Sequence, residues 1–258
     1  MSSPIRIEHD GPLAIMVIDS PPLNLFDQAM IDALTRAVGE LRDAPPRGLL
    51  IRAENKIVSG GVNVKLFDGL SVDDAGKLWT DLLDLIHTVE DFAFPTVFAA
   101  HGLCLTAAFE LSLGCDLLVA AASAKFGLVE TVVGLTPAMG GTQRLAERAG
   151  PARAREFVMT GDLYDATTLK EWGAVNQVWP DDGFAEQAHA YAMRLAVGPT
   201  MAHAATKAIV RAQKEGGARA ADAIVPEQAG GLFGTEDLKN AVQSFLERGP
   251  GKATYEGR

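Results

Sequence analysis

Residues 92–124 constrain this chain more than any other segment. The stretch is apolar and long enough to suggest a membrane span. Pro95, His101, Glu110 and Asp116 interrupt it, and each would be costly in lipid. It therefore reads as the inside of a soluble protein, and no membrane partner is expected. That places Glu110, in TAAFEL, within a core. Glu130, in FGLVETVVG, has similarly apolar neighbours. A carboxylate that loses its water is pushed toward its protonated form. Two such groups facing one reaction centre can act as acid and base on a single substrate.

Strand and helix signals alternate through the first half of the chain. Residues 5–8 and 13–18 read as strands joined by a turn at Asp10, Gly11 and Pro12. Asp27 can cap a helix with Met30, Ile31, Leu34, Val38 and Leu41 on one face, and Pro45 and Pro46 end it. Residues 48–52 form a short buried strand. Asp73 or Asp74 is expected to start a second helix carrying Leu78, Leu82, Leu85, Ile86 and Val89. A strand over 95–100, a helix over 105–113 and a strand over 117–121 follow. This alternation argues for a layered α/β core.

Past Gly150 the pattern turns helical. Pro151 opens one helix, Asp165 caps a short one that stops at Gly173, and residues 175–178 add a strand. Beyond Pro180 the apolar stripes have helical spacing. The expected division is an α/β core over residues 1–180 and a helical C-terminal region over 181–258.

Composition removes several functions. A formal net charge of -10 opposes binding to a nucleic-acid backbone, and no nucleic-acid partner is expected. The two cysteines, Cys104 and Cys115, have neither metal-type nor CxxC spacing and read as reduced thiols of a cytoplasmic protein. The start, MSSPIRIEHDG, lacks the apolar run of a secretory signal. The five histidines show no HxH or HExxH spacing, so no metal is expected. Ser112 sits in ELSLG rather than GxSxG, and Gly140-Gly141 carries no dinucleotide or P-loop pattern.

Residues 95–145 read PTVFAAHGLCLTAAFELSLGCDLLVAAASAKFGLVETVVGLTPAMGGTQRL. The order His101-Gly102, Glu110, Cys115-Asp116, Phe126-Gly127, Glu130, Pro137 and then Gly140 through Leu145 resembles the enoyl-CoA hydratase/isomerase (crotonase) superfamily. Residues 22–26, PLNLF, resemble its early loop, and 59–63, SGGVN, its first oxyanion loop. Residues 173–178, GAVNQV, and 245–248, FLER, extend the resemblance over nearly the whole chain.

The resemblance implies a spiral of ββα turns followed by a helical trimerisation region, assembled as a homotrimer or homohexamer. It implies an acyl-CoA thioester substrate and no separate cofactor, since coenzyme A is part of that substrate. Backbone N–H groups of Val62 and Ala107 would form the oxyanion hole. Glu110 would mainly activate water and Glu130 mainly donate the proton. Lys56, Lys65 and Lys252 are candidate phosphate contacts. Both loops depart from the family's usual AGAD and GGG: here they are GGVN, residues 60–63, and TAA, residues 106–108. Val62 adds bulk beside the thioester, and alanine tolerates positive φ poorly. Two carboxylates favour a hydratase. An isomerase, another enzyme of this superfamily or a non-catalytic acyl-CoA binder are the alternatives, because a fold does not fix a reaction.

Overall fold

The computed structural model describes residues 3–258. The first two residues of the expected core, and of the segment read for a secretory signal, lie outside them. Among the described residues the main sheet joins β1 (Ile5–Asp10), β2 (Leu13–Ile18), β3 (Gly48–Ala53), β4 (Thr96–Ala100), β6 (Leu117–Ala121) and β9 (Gln177–Trp179), in that order. The β1–β2 pair is antiparallel and the remaining pairs are parallel. A smaller sheet joins β5 (Leu103–Leu105) and β7 (Lys125–Gly127), which run parallel, to β8 (Tyr164–Asp165), which runs antiparallel. The whole is a mixed α/β spiral with a helical C-terminal region.

Both faces of the main sheet are covered, so β2 is buried at every position and shows no polar alternation. Its residues Ala14, Met16 and Ile18 face α1 (Gln28–Asp43), α2 (Val72–Asp91) and the smaller sheet. Leu13, Ile15 and Val17 face the opposite way. They pack with Leu50, Val97 and Val119 against Phe184, Ala188, Ala192 and Ala196 of α7 (Phe184–Ala196). The following α8 (Thr200–Gly231) is broken at Gly217, where φ is 76°, and α9 (Glu236–Arg248) closes the chain. Val242, Phe245 and Leu246 of α9 face away from this chain's core. No described helix is long and apolar enough to cross a membrane.

Three local expectations shift. The second helix is capped by Ser71 rather than Asp73 or Asp74. The Ser71 hydroxyl accepts from Asp74 N at 3.1 Å and donates to its carboxylate at 2.6 Å, so one side chain satisfies a free N–H of the first turn and holds the acid beside it. The expected helix over 105–113 begins two residues later, as α3 (Ala107–Gly114), because Leu103–Leu105 pairs with Lys125–Gly127. Three-residue strands are too short to show periodicity. The last strand of the main sheet lies at Gln177–Trp179 rather than 175–178, since Asn176 spends its N–H and side-chain oxygen on Leu118.

One buried side chain ties together the loops above the sheet. Asn24 is fully buried at φ 48°, a left-handed conformation that asparagine tolerates better than most residues. Its Oδ1 accepts from Ser20 N at 2.6 Å, and its Nδ2 faces the carbonyls of Glu54, Ile57 and Val58 at 3.1–3.3 Å. Its own carbonyl accepts from the Ser59 hydroxyl at 2.7 Å. Asn24→Ala should lower the unfolding free energy by about 3 kcal/mol, because buried carbonyls lose their donor. Urea unfolding measures this, and a change below about 0.5 kcal/mol, the scale of an ordinary surface substitution, would refute the role.

Candidate active site

Every residue of α3 is buried, including Glu110. Such a helix is apolar all round and offers a carboxylate nothing. The compensation comes from the turn before α4 (Gly141–Ala149): Met139 N and Gly141 N donate to Glu110 Oε2 at 2.9 and 2.7 Å. The approach requires glycine, since a Cβ on Gly141 would lie 2.7 Å from Glu110 Cγ. Gly140, at φ 98°, turns the chain into α4. The Gly140-Gly141 pair thus holds a side chain of its own chain. Arg144 clamps the turn, donating to Gly140 O at 3.3 Å and to Glu90 Oε1 at 2.9 Å.

Glu130 opens a single 3₁₀ turn, Glu130–Val133, closed by Gly134 at φ 74°. Its Oε2 is buried and has no hydrogen-bond partner among the described residues. Burial pushes the Glu130 carboxyl up to about 7. Burial first, and then the charge of Glu130, push Glu110 up to about 8 against the pull of its two backbone donors. The charge of Glu130 thus bears on Glu110, and burial holds both carboxyls well above the usual carboxylate range.

The backbone groups of Val62 and Ala107 arrive from two other loops. Phe26 N donates to Gly61 O and Asn63 N to Phe26 O, each at 2.9 Å, so Val62 sits in a parallel bridge that uses its neighbours' groups. The Val62 N–H is left pointing away from Phe26. Ala107 is the first residue of α3, where an N–H has no intrahelical acceptor. Among the described residues neither N–H donates a hydrogen bond. The positive φ of this loop falls on Thr106, at φ 47° and ψ -122°, and on neither alanine.

Thr106 and Thr142 are residues the sequence reading missed. The buried side-chain oxygens without a partner among the described residues are Thr106 Oγ1, Glu130 Oε2 and Thr142 Oγ1. Thr106 O accepts from Glu110 N, Thr142 follows the Gly141 donor, and Glu130 acts on Glu110 through its charge. Unpaired buried polar atoms are rare in folded proteins, and here each belongs to a residue tied to Glu110 by a backbone bond, by chain adjacency or by charge. The threonine standing in the family's glycine run was the available signal. Lys56, Lys65 and Lys252 are all exposed. Lys56 lines a separate cavity of about 420 Å³ with Arg52, His101 and Asp181, and that cavity contains none of the four candidate residues. His101 bonds Asn55 O at 3.0 Å, and both cysteines are buried and free.

The family profile described as enoyl-CoA hydratase/isomerase matches residues 8–258. A probable enoyl-CoA hydratase of Mycobacterium bovis is 30% identical over 249 residues, covering 95% of each chain. A crotonyl-CoA hydratase of Syntrophomonas wolfei is 29% identical over 250 residues, again covering 95% of each. The crystal structure of an enoyl-CoA hydratase from Bacillus anthracis superposes with a TM-score of 0.91 over 99% of this chain and all of that one; at 24% identity it speaks for the fold.

The raised Glu110 carboxyl makes stability depend on pH. The folded protein keeps a proton that the unfolded chain releases near its ordinary value of 4.5, so folding is favoured most below that value. As pH rises from there to about 8, stability falls, by about 1.4 kcal/mol per pH unit for one carboxyl. Glu110→Gln should reduce that fall when unfolding is measured at pH 5 and pH 8. A parent and variant with parallel profiles would show that Glu110 ionises normally.

Proposed function

The chain belongs to the enoyl-CoA hydratase/isomerase family, and we propose that it adds water across the 2,3 double bond of a 2-enoyl-CoA thioester. The observation that most supports this is a pair of carboxyls raised by burial, one acting on the other through its charge, in a chain whose Val62 and Ala107 N–H groups donate to none of the described residues. Hydration needs that set of groups. The thioester oxygen accepts from Val62 N–H and Ala107 N–H. The ionised carboxyl takes a proton from water as the water oxygen bonds to C3. The π electrons move toward C2 and the carbonyl, giving an enolate that the two N–H groups stabilise more than the ground state. The protonated carboxyl then delivers its proton to C2, and the enolate returns to a thioester.

The reaction is redox-neutral and its protons balance within the carboxyl pair, so it calls for neither a metal nor a resident cofactor. Coenzyme A enters with the substrate. One shared proton is what the pair requires, and the protonation state belongs to the pair rather than to either member alone. An isomerase moves a single proton and is served by one carboxyl, and this is why hydration is preferred. The same reading makes residues 181–258 an assembly region, with a homotrimer or homohexamer in the cytoplasm as the working form. Exposed Phe233, Val242, Phe245 and Leu246 support an apolar contact there.

Crotonyl-CoA should lose its conjugated-thioester absorbance on incubation with the assembled protein. Glu110→Gln and Glu130→Gln should each lower kcat by about 10²–10⁴. A bell-shaped kcat/KM profile is expected, rising near pH 7 and falling near pH 8. Full activity in either variant would remove that residue from the mechanism, and a protein inert toward 2-enoyl-CoA of every chain length would refute hydration.

A further inference from the structure

Thr106 carries two burdens that glycine at the same position would avoid. Its φ of 47° with ψ -122° is a conformation open to glycine and strained for a β-branched residue. Its side chain is 6% exposed, and its hydroxyl has no partner among the described residues. A buried hydroxyl left unpaired opposes folding. The other polar groups of Thr106 are engaged: its N–H donates to Gly127 O at 2.9 Å and its carbonyl accepts from Glu110 N at 2.8 Å. Backbone strain of this kind persists where the surrounding structure enforces it, and it collects at functional sites.

The hydroxyl also packs against the loop that carries Val62. A Cβ built on Gly61 would lie 2.9 Å from Thr106 Oγ1 and 3.3 Å from its Cγ2. Gly61 directly precedes Val62, and Thr106 directly precedes Ala107. The unpaired oxygen therefore sits on the seam between the loops that carry the two free N–H groups. The nearby Ser59 hydroxyl, by contrast, is spent on Asn24 O at 2.7 Å.

We propose that the Thr106 hydroxyl donates a third hydrogen bond to the thioester oxygen of bound acyl-CoA, beside the N–H groups of Val62 and Ala107. The inference rests on the acyl-thioester reading of the site. No proton is transferred: the O–H stays intact, and its bond strengthens as charge builds on the acceptor. The contact is worth most in the enolate-like transition state, so its loss falls on kcat more than on KM. The side chain replaces glycine's freedom with a donor, and strain is the cost of placing it.

Thr106→Val keeps the branched shape and removes only the O–H. Its kcat for crotonyl-CoA should drop on the order of 100-fold with KM far less affected. The infrared carbonyl band of bound butyryl-CoA, labelled with carbon-13 at the thioester, should lie at higher frequency in T106V than in the parent. Thr106→Ser should bring the band back. Thr106→Gly should lose the same contact while melting at a higher temperature than the parent, which a merely structural residue would not do. A band unmoved in T106V, or T106G turning over as fast as the parent, would overturn the inference. A parent whose band responds to T106V but which hydrates no enoyl-CoA would refute the hydratase reading and leave the Thr106 contact standing. A parent that binds no acyl-CoA would overturn both.

Discussion

The site depends on two backbone N–H groups delivered to one oxygen of a carboxyl in an otherwise apolar helix. Without Met139 N and Gly141 N, Glu110 would be a buried acid with no donor. Those donors are held by a line of contacts reaching into the C-terminal helices. Lys214 of α8 pairs with Glu90 and Glu147, Glu90 pairs with Arg144, and Arg144 donates to the Gly140 carbonyl next to the Gly141 donor. At the other end of α3, Arg148 donates to the carbonyls of Leu113 and Cys115, occupying acceptors that the helix leaves open. The geometry of one carboxyl is thus set by residues more than a hundred positions apart.

Glu90 and Glu110 show how partners decide the state of a sheltered carboxyl. Burial raises Glu90 too, but the hydrogen bonds and charge of Arg144, helped by Lys214, outweigh it and hold Glu90 below its ordinary range. Glu110 has two neutral amides and a second carboxyl for company, and there burial wins. A guanidinium offers full charge and a fork of donors; two amides offer only partial charges. One acid is therefore fixed as a structural anion and the other stays able to exchange a proton near neutral pH. The distinction lies in the neighbours supplied by α4 and α8.

The sequence was legible where a residue's role is local. Asp27 caps α1 as expected, accepting from Met30 N at 3.0 Å, and the strand over residues 13–18 has its expected bounds. Glu110 stood out because a charged residue in an apolar run needs an explanation. What was hidden depends on pairing at a distance. β5 and β7 are three residues each and recognisable only from one another. Asn24 looks like a turn residue until the carbonyls of Glu54, Ile57 and Val58 are seen around it. The Met139 and Gly141 donors leave no side-chain trace at all, and the Gly140-Gly141 pair, which carries no dinucleotide or P-loop pattern, is explained by the carboxyl it lets in.

The two departures from the family's loops differ in physical kind. At Val62 the N–H direction is set by the bridge to Phe26, through hydrogen bonds made by Gly61 and Asn63. Its side chain packs half-buried on the main core, so the extra bulk is absorbed without changing where the backbone points. At Thr106 the backbone itself occupies a region that the side chain resists, at a cost of roughly 1–3 kcal/mol. At Val62 the departure is therefore one of packing, whereas at Thr106 it is one of backbone conformation and of an unpaired polar atom. Steric relief is available at Thr106 through the simplest residue, while the hydroxyl is available only through serine, threonine or a larger polar side chain. The persistence of strain together with an unpaired donor, in the seam between two free N–H groups, is the arrangement expected where a polar acceptor completes the structure on binding.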